Sequence, residues 1–242
     1  MKDNPPKNRK VFDGVTLQSL LSDLSHAVAL ERLGPAVTER VFWRAVTKEP
    51  KIALTFDDGP QPTYTPQLLD ILSKHAVPAT FFLIGQHIEK NVELAERTVQ
   101  AGHEVGNHTF SHPYLFRLSD ADMLSEIRRT DALLRNLDGA APKFLRPPMG
   151  LFSRRVLNLV EQAGYKSVVG DVYPRDPHLP GKNKILQRVL SRVVNGSIII
   201  LHDGGNTEQV DRSQTVWAVD RLVPQLRERG FQFVTLSDLL LH

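Results

Sequence analysis

Seven short apolar runs, separated by helical patterns, occupy the chain from Lys51 onward, and this alternation confines it to an α/β architecture built on a parallel sheet. The runs span 51–56, 79–84, 103–106, 143–146, 165–170, 197–201 and 231–235. The helices between them have readable ends. Thr65 followed by Pro66 predicts an N-cap with proline at the first helical position, and Gly102 and Gly164 stand where a helix C-terminus takes a left-handed residue. Ser119, with Asp122 three residues on, resembles a capping box and opens a helix running to about Asn136. Such a sheet is either open or closed into a barrel. Asp57, Asp58, Arg146, Asp171 and His202 fall at or just after the C-terminal ends of different runs, which is how barrel active sites are assembled. An open doubly wound sheet would gather its site at one switch point, usually beside a glycine-rich phosphate loop, and no G-x-G-x-x-G occurs here. A barrel of about seven parallel strands is the expectation.

The stretch 51–60, KIALTFDDGP, carries a strand straight into two adjacent carboxylates and then turns at Gly59-Pro60. Two aspartates beside an apolar strand are costly to desolvate unless a cation or a reacting proton offsets the cost. Taken alone, the stretch also fits a strand ending in a solvated turn. His108 and His112, spaced i and i+4 in NHTFSHP, answer the acids: on a helical turn both imidazoles face one side and can hold one metal ion. With one carboxylate they form a two-histidine, one-carboxylate set that leaves coordination positions open for water. Neighbours in an extended strand point to opposite faces, so Asp57 and Asp58 can share a site only where the strand has ended and the chain turns, which Gly59 permits.

Composition narrows the remaining choices. The chain of 242 residues, 41% hydrophobic and 24% charged, suits one main domain with a good-sized core. A formal net charge of +3 and the lack of a long basic run argue against nucleic acid as a partner. There is no cysteine, so any metal must be held by histidine and carboxylate. Residues 1–46 read as a short helical N-terminal extension and 47–242 as the catalytic domain. Leu17, Leu20, Leu21, Leu24 and Val28 mark one helical face within 15–32, and 37–46 is a second helix or an extended arm. This extension packs on the barrel or lies on a membrane surface with Lys2, Lys7, Arg9 and Lys10 toward anionic lipid; its acidic residues favour packing. No signal-like apolar region follows the first ten residues and no stretch is long enough to span a bilayer, so a cytoplasmic place is the default, with envelope association open.

TFDDGP at 55–60, HTFSH at 108–112, RPPMG at 146–150, the acidic loop at 171–176 and IIILHD at 198–203 together resemble the five ordered motifs of the polysaccharide deacetylases, carbohydrate esterase family 4, which include the nodulation-type deacetylases. The likeness runs from 51 to about 240. It implies a distorted, incomplete (β/α) barrel and a divalent metal, commonly zinc, with cobalt, nickel or manganese as the other choices. Carried over by position, it makes Asp58, His108 and His112 the metal ligands and Asp57 the general base. His202 becomes the general acid that protonates the leaving group, with Arg146 holding Asp57 ionised and oriented. Asp176 is the acid that supports His202, with Asp171 as its rival, and a backbone N–H near His112 helps the metal stabilise the oxyanion. The chain departs from the family pattern at Met149, where an aromatic residue is usual, at Ser153, often asparagine, and at Pro177, which takes the aromatic position of the fourth motif. These changes touch the groove rather than the ligands or the base. The implied function is removal of N-acetyl groups from a glycan containing N-acetylglucosamine, such as chitin oligomers or peptidoglycan. Two other readings are an O-acetyl esterase or small-molecule amidohydrolase of the same fold, and a catalytically silent glycan-binding protein.

Overall fold

The computed structural model describes residues 40–138, 142–207 and 209–241. The helix expected over 15–32 lies outside the described residues, as do positions 37–39 of the segment after it. Strand β1 (Val41–Phe42) leads into β2 (Lys51–Gly59), helix α1 (Thr65–Lys74), β3 (Thr80–Leu83), α2 (Gly85–Lys90), α3 (Val92–Gln100), β4 (Glu104–Asn107) and α4 (Asp120–Asp138). Then come β5 (Phe144–Leu145), α5 (Arg154–Gln162), β6 (Lys166–Val168), α6 (Lys182–Leu190), β7 (Ile198–His202), α7 (Ser213–Glu228), β8 (Gln232–Val234) and α8 (Leu236–Leu240). All seven expected runs form strands. The eighth, β1, settles the described part of 37–46 as extended chain.

Every strand pairing is parallel, in the order β1-β6-β5-β4-β3-β2-β7, with β8 also on β2. Where the two ends of that order meet, β7 is reached only by single bridges, from Val172 after β6 to Ile199 and from Arg44 after β1 to Ser197, so among the described residues the sheet is not closed and the barrel is a distorted, incomplete one.

Strand β2 is the axis of this sheet. It pairs with β8 over Lys51–Ala53, with β7 over Ala53–Asp57 and with β3 from Thr55 to Gly59. Residues Ile52 to Phe56 are at most 1% exposed, the condition under which a parallel strand reads as a continuous apolar run. Its period of two divides the core. Ile52, Leu54 and Phe56 pack with Leu68 and Leu72 of α1 and with Val219 and Leu222 of α7. Ala53, on the opposite face, joins Phe82, Phe144, Val168 and Ile198 from four other strands, and Leu236 and Leu239 of α8 close that cluster. Thr55 and Asp57 continue the face of Ala53, so an apolar floor gives way to polar groups as the strands approach their C-terminal ends.

One local expectation needs correction. Thr65 is the first residue of α1 rather than its cap, and its hydroxyl donates to Asp203 Oδ2 at 2.5 Å while accepting from the Gln61 amide at 2.8 Å. Residues 40–46, the described end of the extension, lie against the sheet: Trp43 is 8% exposed, its ring 6.0 Å from that of Phe152, and the Ala45 amide bonds to the Gly196 carbonyl. Gly102 and Gly164 are left-handed, as expected. No helix among the described residues is long and apolar enough to cross a membrane.

If the arm carrying β1 contributes packing, Trp43→Ala in the full chain should cost about 3–5 kcal/mol, the range for truncating a large buried aromatic. In a chain of this size that lowers the midpoint by roughly 10 °C, readable by calorimetry, whereas a shift under about 2 °C would mean the arm is dispensable.

Candidate active site

Six of the residues singled out by sequence line one cavity of about 730 Å³ at the C-terminal ends of the strands: Asp57, Asp58, His108, His112, Arg146 and His202. Asp57 and His202 are register partners on the adjacent parallel strands β2 and β7, so their side chains leave the sheet on the same face and at the same level. Asp57 is buried and its Oδ1 accepts from Arg146 Nη1 at 2.5 Å. The same nitrogen donates to Thr55 Oγ1 at 2.8 Å, and Thr55 in turn donates to the Ile199 carbonyl. Arg146 is itself 2% exposed, with its guanidinium 4.2 Å from the centre of the Phe82 ring. Burial pulls its pKa below the ordinary arginine value, with the charge of Asp57 acting the other way.

Asp58 reaches the same site by a kink within the strand. Its φ is 74° and the β2–β3 register shifts between Asp57 and Gly59, a bulge that turns the second carboxylate onto the side of the first. The turn expected at Gly59 is thus made by Asp58, one of the residue types that tolerate the left-handed region. Gly59 is required for a different reason: a Cβ there would lie 2.2 Å from Asp203 Oδ2. Gly204 is required likewise, since its Cβ would lie 2.0 Å from the Asp58 carbonyl oxygen. That carbonyl also accepts from His87 Nδ1 of α2 at 2.8 Å.

Asp58 Oδ1 lies 3.3 Å from His108 Nε2 and 3.2 Å from His112 Nε2. His108 Nδ1 is 2.7 Å from the Arg146 carbonyl oxygen and must donate to it, so in the neutral ring the lone pair is on Nε2, facing a carboxylate. His112, pushed down to about 4 by burial and by His108 beside it, is neutral near pH 7 and has a lone pair to offer as well. Burial raises the Asp58 carboxyl, and His108, His202 and His112 outweigh it, holding the group well below the usual carboxylate range. Asp58 Oδ1 is buried and has no hydrogen-bond donor among the described residues, and one ligand atom from each of the three residues lies within 4.8 Å of the others. An oxygen and two nitrogens converging with lone pairs inward fit a divalent cation.

The histidines do not sit on a helical turn. Residues 108–113 form an irregular loop with Thr109 at φ 67° and His112 at φ 56°, and α4 clamps it: Glu126 accepts from the Phe110 and Ser111 amides and from the Ser111 hydroxyl at 2.7–2.9 Å. On the other side, His202 Nδ1 is 3.0 Å from Asp176 Oδ1, and Asp176 Oδ2 accepts from the His202 amide and from Thr215 Oγ1. Burial opposes the charge on His202, but Asp176, Asp58 and Asp57 prevail and hold its pKa up at about 9. Asp171 makes no such contact; it accepts from Ser197 Oγ and the Ile198 amide and fastens the start of β7. Of the three departures from the family pattern, Met149 and Pro177 line the cavity, whereas Ser153 caps α5 by accepting from the Val156 amide.

Residues 44–168 match the family model described as polysaccharide deacetylase. The chain is 40% identical over 213 residues to a peptidoglycan-N-acetylglucosamine deacetylase of Bacillus cereus, covering 84% of this chain and 94% of that one. It is 42% identical over 199 residues to a chitooligosaccharide deacetylase of Sinorhizobium fredii, covering 79% and 93%. The chain belongs to the polysaccharide deacetylase family. It is a hydrolase of the family's amide-cleaving type. A crystal structure of a peptidoglycan N-acetylglucosamine deacetylase in complex with 4-naphthalen-1-yl-N-oxidanyl-benzamide superposes with a TM-score of 0.80 at 34% identity, over 84% of this chain and 93% of that one.

The deacetylase fold also supplies groups that the motifs do not announce. His87 and Thr215 hold the Asp58 carbonyl and the Asp176 carboxylate, and Glu126 holds the loop between the two histidines, yet none of the three stands in a motif. Thr55, in TFDDGP, and Asp203, in IIILHD, were marked by their motifs. Removing the clamp on the histidine loop should loosen any cation bound there: Glu126→Ala should weaken divalent-ion binding by roughly 10–100-fold, the usual effect of losing an outer hydrogen bond. Competition with a chromogenic chelator measures this, and an unchanged affinity would mean that the loop holds its shape without Glu126.

Proposed function

We propose that this deacetylase removes N-acetyl groups from a glycan containing N-acetylglucosamine, of chitin-oligomer or peptidoglycan type, with a divalent ion held by Asp58, His108 and His112. One observation carries the reading: an arginine-bonded carboxylate and a carboxylate-bonded histidine, in register on adjacent strands, flank that donor set in one cavity. The names of the relatives, peptidoglycan and chitooligosaccharide deacetylases, support the substrate class. Two imidazole nitrogens and one carboxylate oxygen suit zinc first, with cobalt, nickel or manganese as compatible ions. Bound there, the ion supplies Lewis acidity, polarising a carbonyl and lowering the pKa of a water molecule.

The protein's own groups divide the proton work. Asp57, fixed by the Arg146 hydrogen bond, accepts the proton of the attacking water as general base. Its neighbour Asp58 is engaged with the histidines and cannot share that task. His202, with a pKa near 9, is an imidazolium at neutral pH; Nδ1–H is tied to Asp176, so Nε2–H is the proton to give to the departing amine. An amine leaves as a very poor anion, so this proton is needed for an amide far more than for an activated ester. The groups take on opposite roles because each is anchored by a partner of opposite charge, Arg146 for Asp57 and Asp176 for His202. A peptidoglycan-type substrate would place the work at the cell envelope.

Release of acetate from chitooligosaccharides, peptidoglycan fragments and acetylxylan, with and without chelator, tests the function. Chelator-sensitive acetate from an N-acetylated glycan is the expected outcome; acetate from acetylxylan alone would favour an esterase, and none from any substrate would sink the reading. In the same assay Asp57→Asn should retain metal yet lose on the order of 10² to 10⁴ in turnover. Loss of metal together with activity would show the two aspartates to have exchanged roles. His202→Ala should cripple amide deacetylation and spare nitrophenyl acetate; equal losses on both substrates would point to a structural role for the histidine.

A further inference from the structure

Outside its centre, the cavity has a one-sided charge. Among the described residues that line it, Asp57 and Asp58 are the only carboxylates, while Arg117, Arg175 and Arg212 line it beyond them. The chain as a whole carries 30 basic and 27 acidic residues, so a wall with arginines and no acid is a local feature rather than a reflection of composition.

The three arginines differ in how far they are engaged. Arg212 is buried, donates to the carbonyls of Gly204 and Asp211, and braces the loop after β7. Arg117 is exposed, and its guanidinium lies 4.9 Å and 5.8 Å from the ring centres of Tyr114 and Phe116, two aromatic residues that also line the cavity. No carboxylate pairs with it among the described residues. Arg175 is half-buried, has no side-chain hydrogen bond or ion pair among the described residues, and stands at φ 63° immediately before Asp176. A long charged side chain on left-handed backbone is strained and persists where the surroundings fix it, commonly at ligand clamps. Guanidinium is also the cation best shaped for a carboxylate, through two parallel N–H···O bonds.

We propose that Arg117 and Arg175 select a glycan that bears carboxylates, on the sugar itself or on a peptide attached to it, over a neutral N-acetylated oligomer. The inference rests on the reading of this cavity as the glycan site. Tyr114 and Phe116 supply flat apolar faces for a sugar ring beside Arg117, and the guanidiniums take the acid that a chitin-type chain lacks. Charge also enters at a distance, because a cavity lined by one sign draws in ligands of the other.

Two oligomers of equal length separate the cases: one of N-acetylglucosamine alone, the other alternating N-acetylglucosamine with N-acetylmuramic acid and so carrying lactyl carboxylates. The metal-loaded full chain is compared with Arg117→Gln, Arg175→Gln and the double variant, by acetate release for kcat/KM and by calorimetry for Kd. The double variant should lose at least about tenfold more in both quantities on the acidic oligomer than on the neutral one, the scale of a lost charge-assisted hydrogen bond. Arg117→Lys and Arg175→Lys should fall between, and added salt should erode the wild-type preference for the acidic oligomer. Equal losses on both oligomers, or a wild-type chain that binds them equally, overturns the proposal. If neither oligomer yields acetate, the deacetylase reading fails on its own account, and calorimetry still reports whether the arginines discriminate.

Discussion

A single left-handed residue near the C-terminal end of β2, just past the last residue paired on both sides, gives this molecule its active-site geometry. Asp58, at φ 74°, interrupts β2 there, and without that interruption the period of two would send Asp57 and Asp58 to opposite faces. The surroundings hold the kink in place. Gly204 lies so close that any side chain would strike the Asp58 carbonyl, Gly59 is equally close to Asp203, and His87 bonds to the carbonyl that the kink exposes. These contacts come from two other segments, the chain just after β7 with Asp203 and Gly204 and helix α2 with His87, which is why the strain can persist.

Bringing two carboxylates together in a buried place raises an electrostatic problem that the structure meets in two ways. Asp57 is matched by a buried guanidinium, itself seated on the face of Phe82 and tied to Thr55. Asp58 is matched by two imidazole edges, a donor set that suits a cation between them. A buried ion pair is weak evidence for stability, since desolvation consumes much of the attraction, so neither pairing is explained by folding alone. Their shared direction, into one cavity at the ends of the strands, is the feature that points to catalysis.

The opposite wall uses the same logic with the charges exchanged. Asp176 is wholly buried and receives three hydrogen bonds, two of them from His202, so the imidazole is fixed in orientation and its proton is held to a pKa of about 9. Asp57 and His202 therefore line one cavity with the donor set, each anchored by a partner of opposite charge. Register does the alignment: because β2 and β7 pair residue for residue, Asp57 and His202 need no loop to bring them to one level. The arginines at the rim lie on loops beyond the strand ends, where sequence can vary the substrate without disturbing this core.

The sequence by itself determined the parallel α/β architecture, the strands, and the set of acids, histidines and arginine at their C-terminal ends. Strand periodicity, helix ends and short motifs are local properties, and they read as correctly in 51–60 or 198–203 as in the folded molecule. Tertiary structure alone decided how those residues meet. An i, i+4 pair such as His108 and His112 fits a helical turn and an irregular loop equally well, and the choice was made by Glu126, fourteen or more positions further on. Asp171 and Asp176 are both acids of one loop, and only the packing of β7 shows that the first fastens a strand while the second holds His202. The same holds for the kink at Asp58, the eighth strand and the arginine rim: each is a contact between segments far apart in the chain, and no pattern within either segment encodes the distance between them.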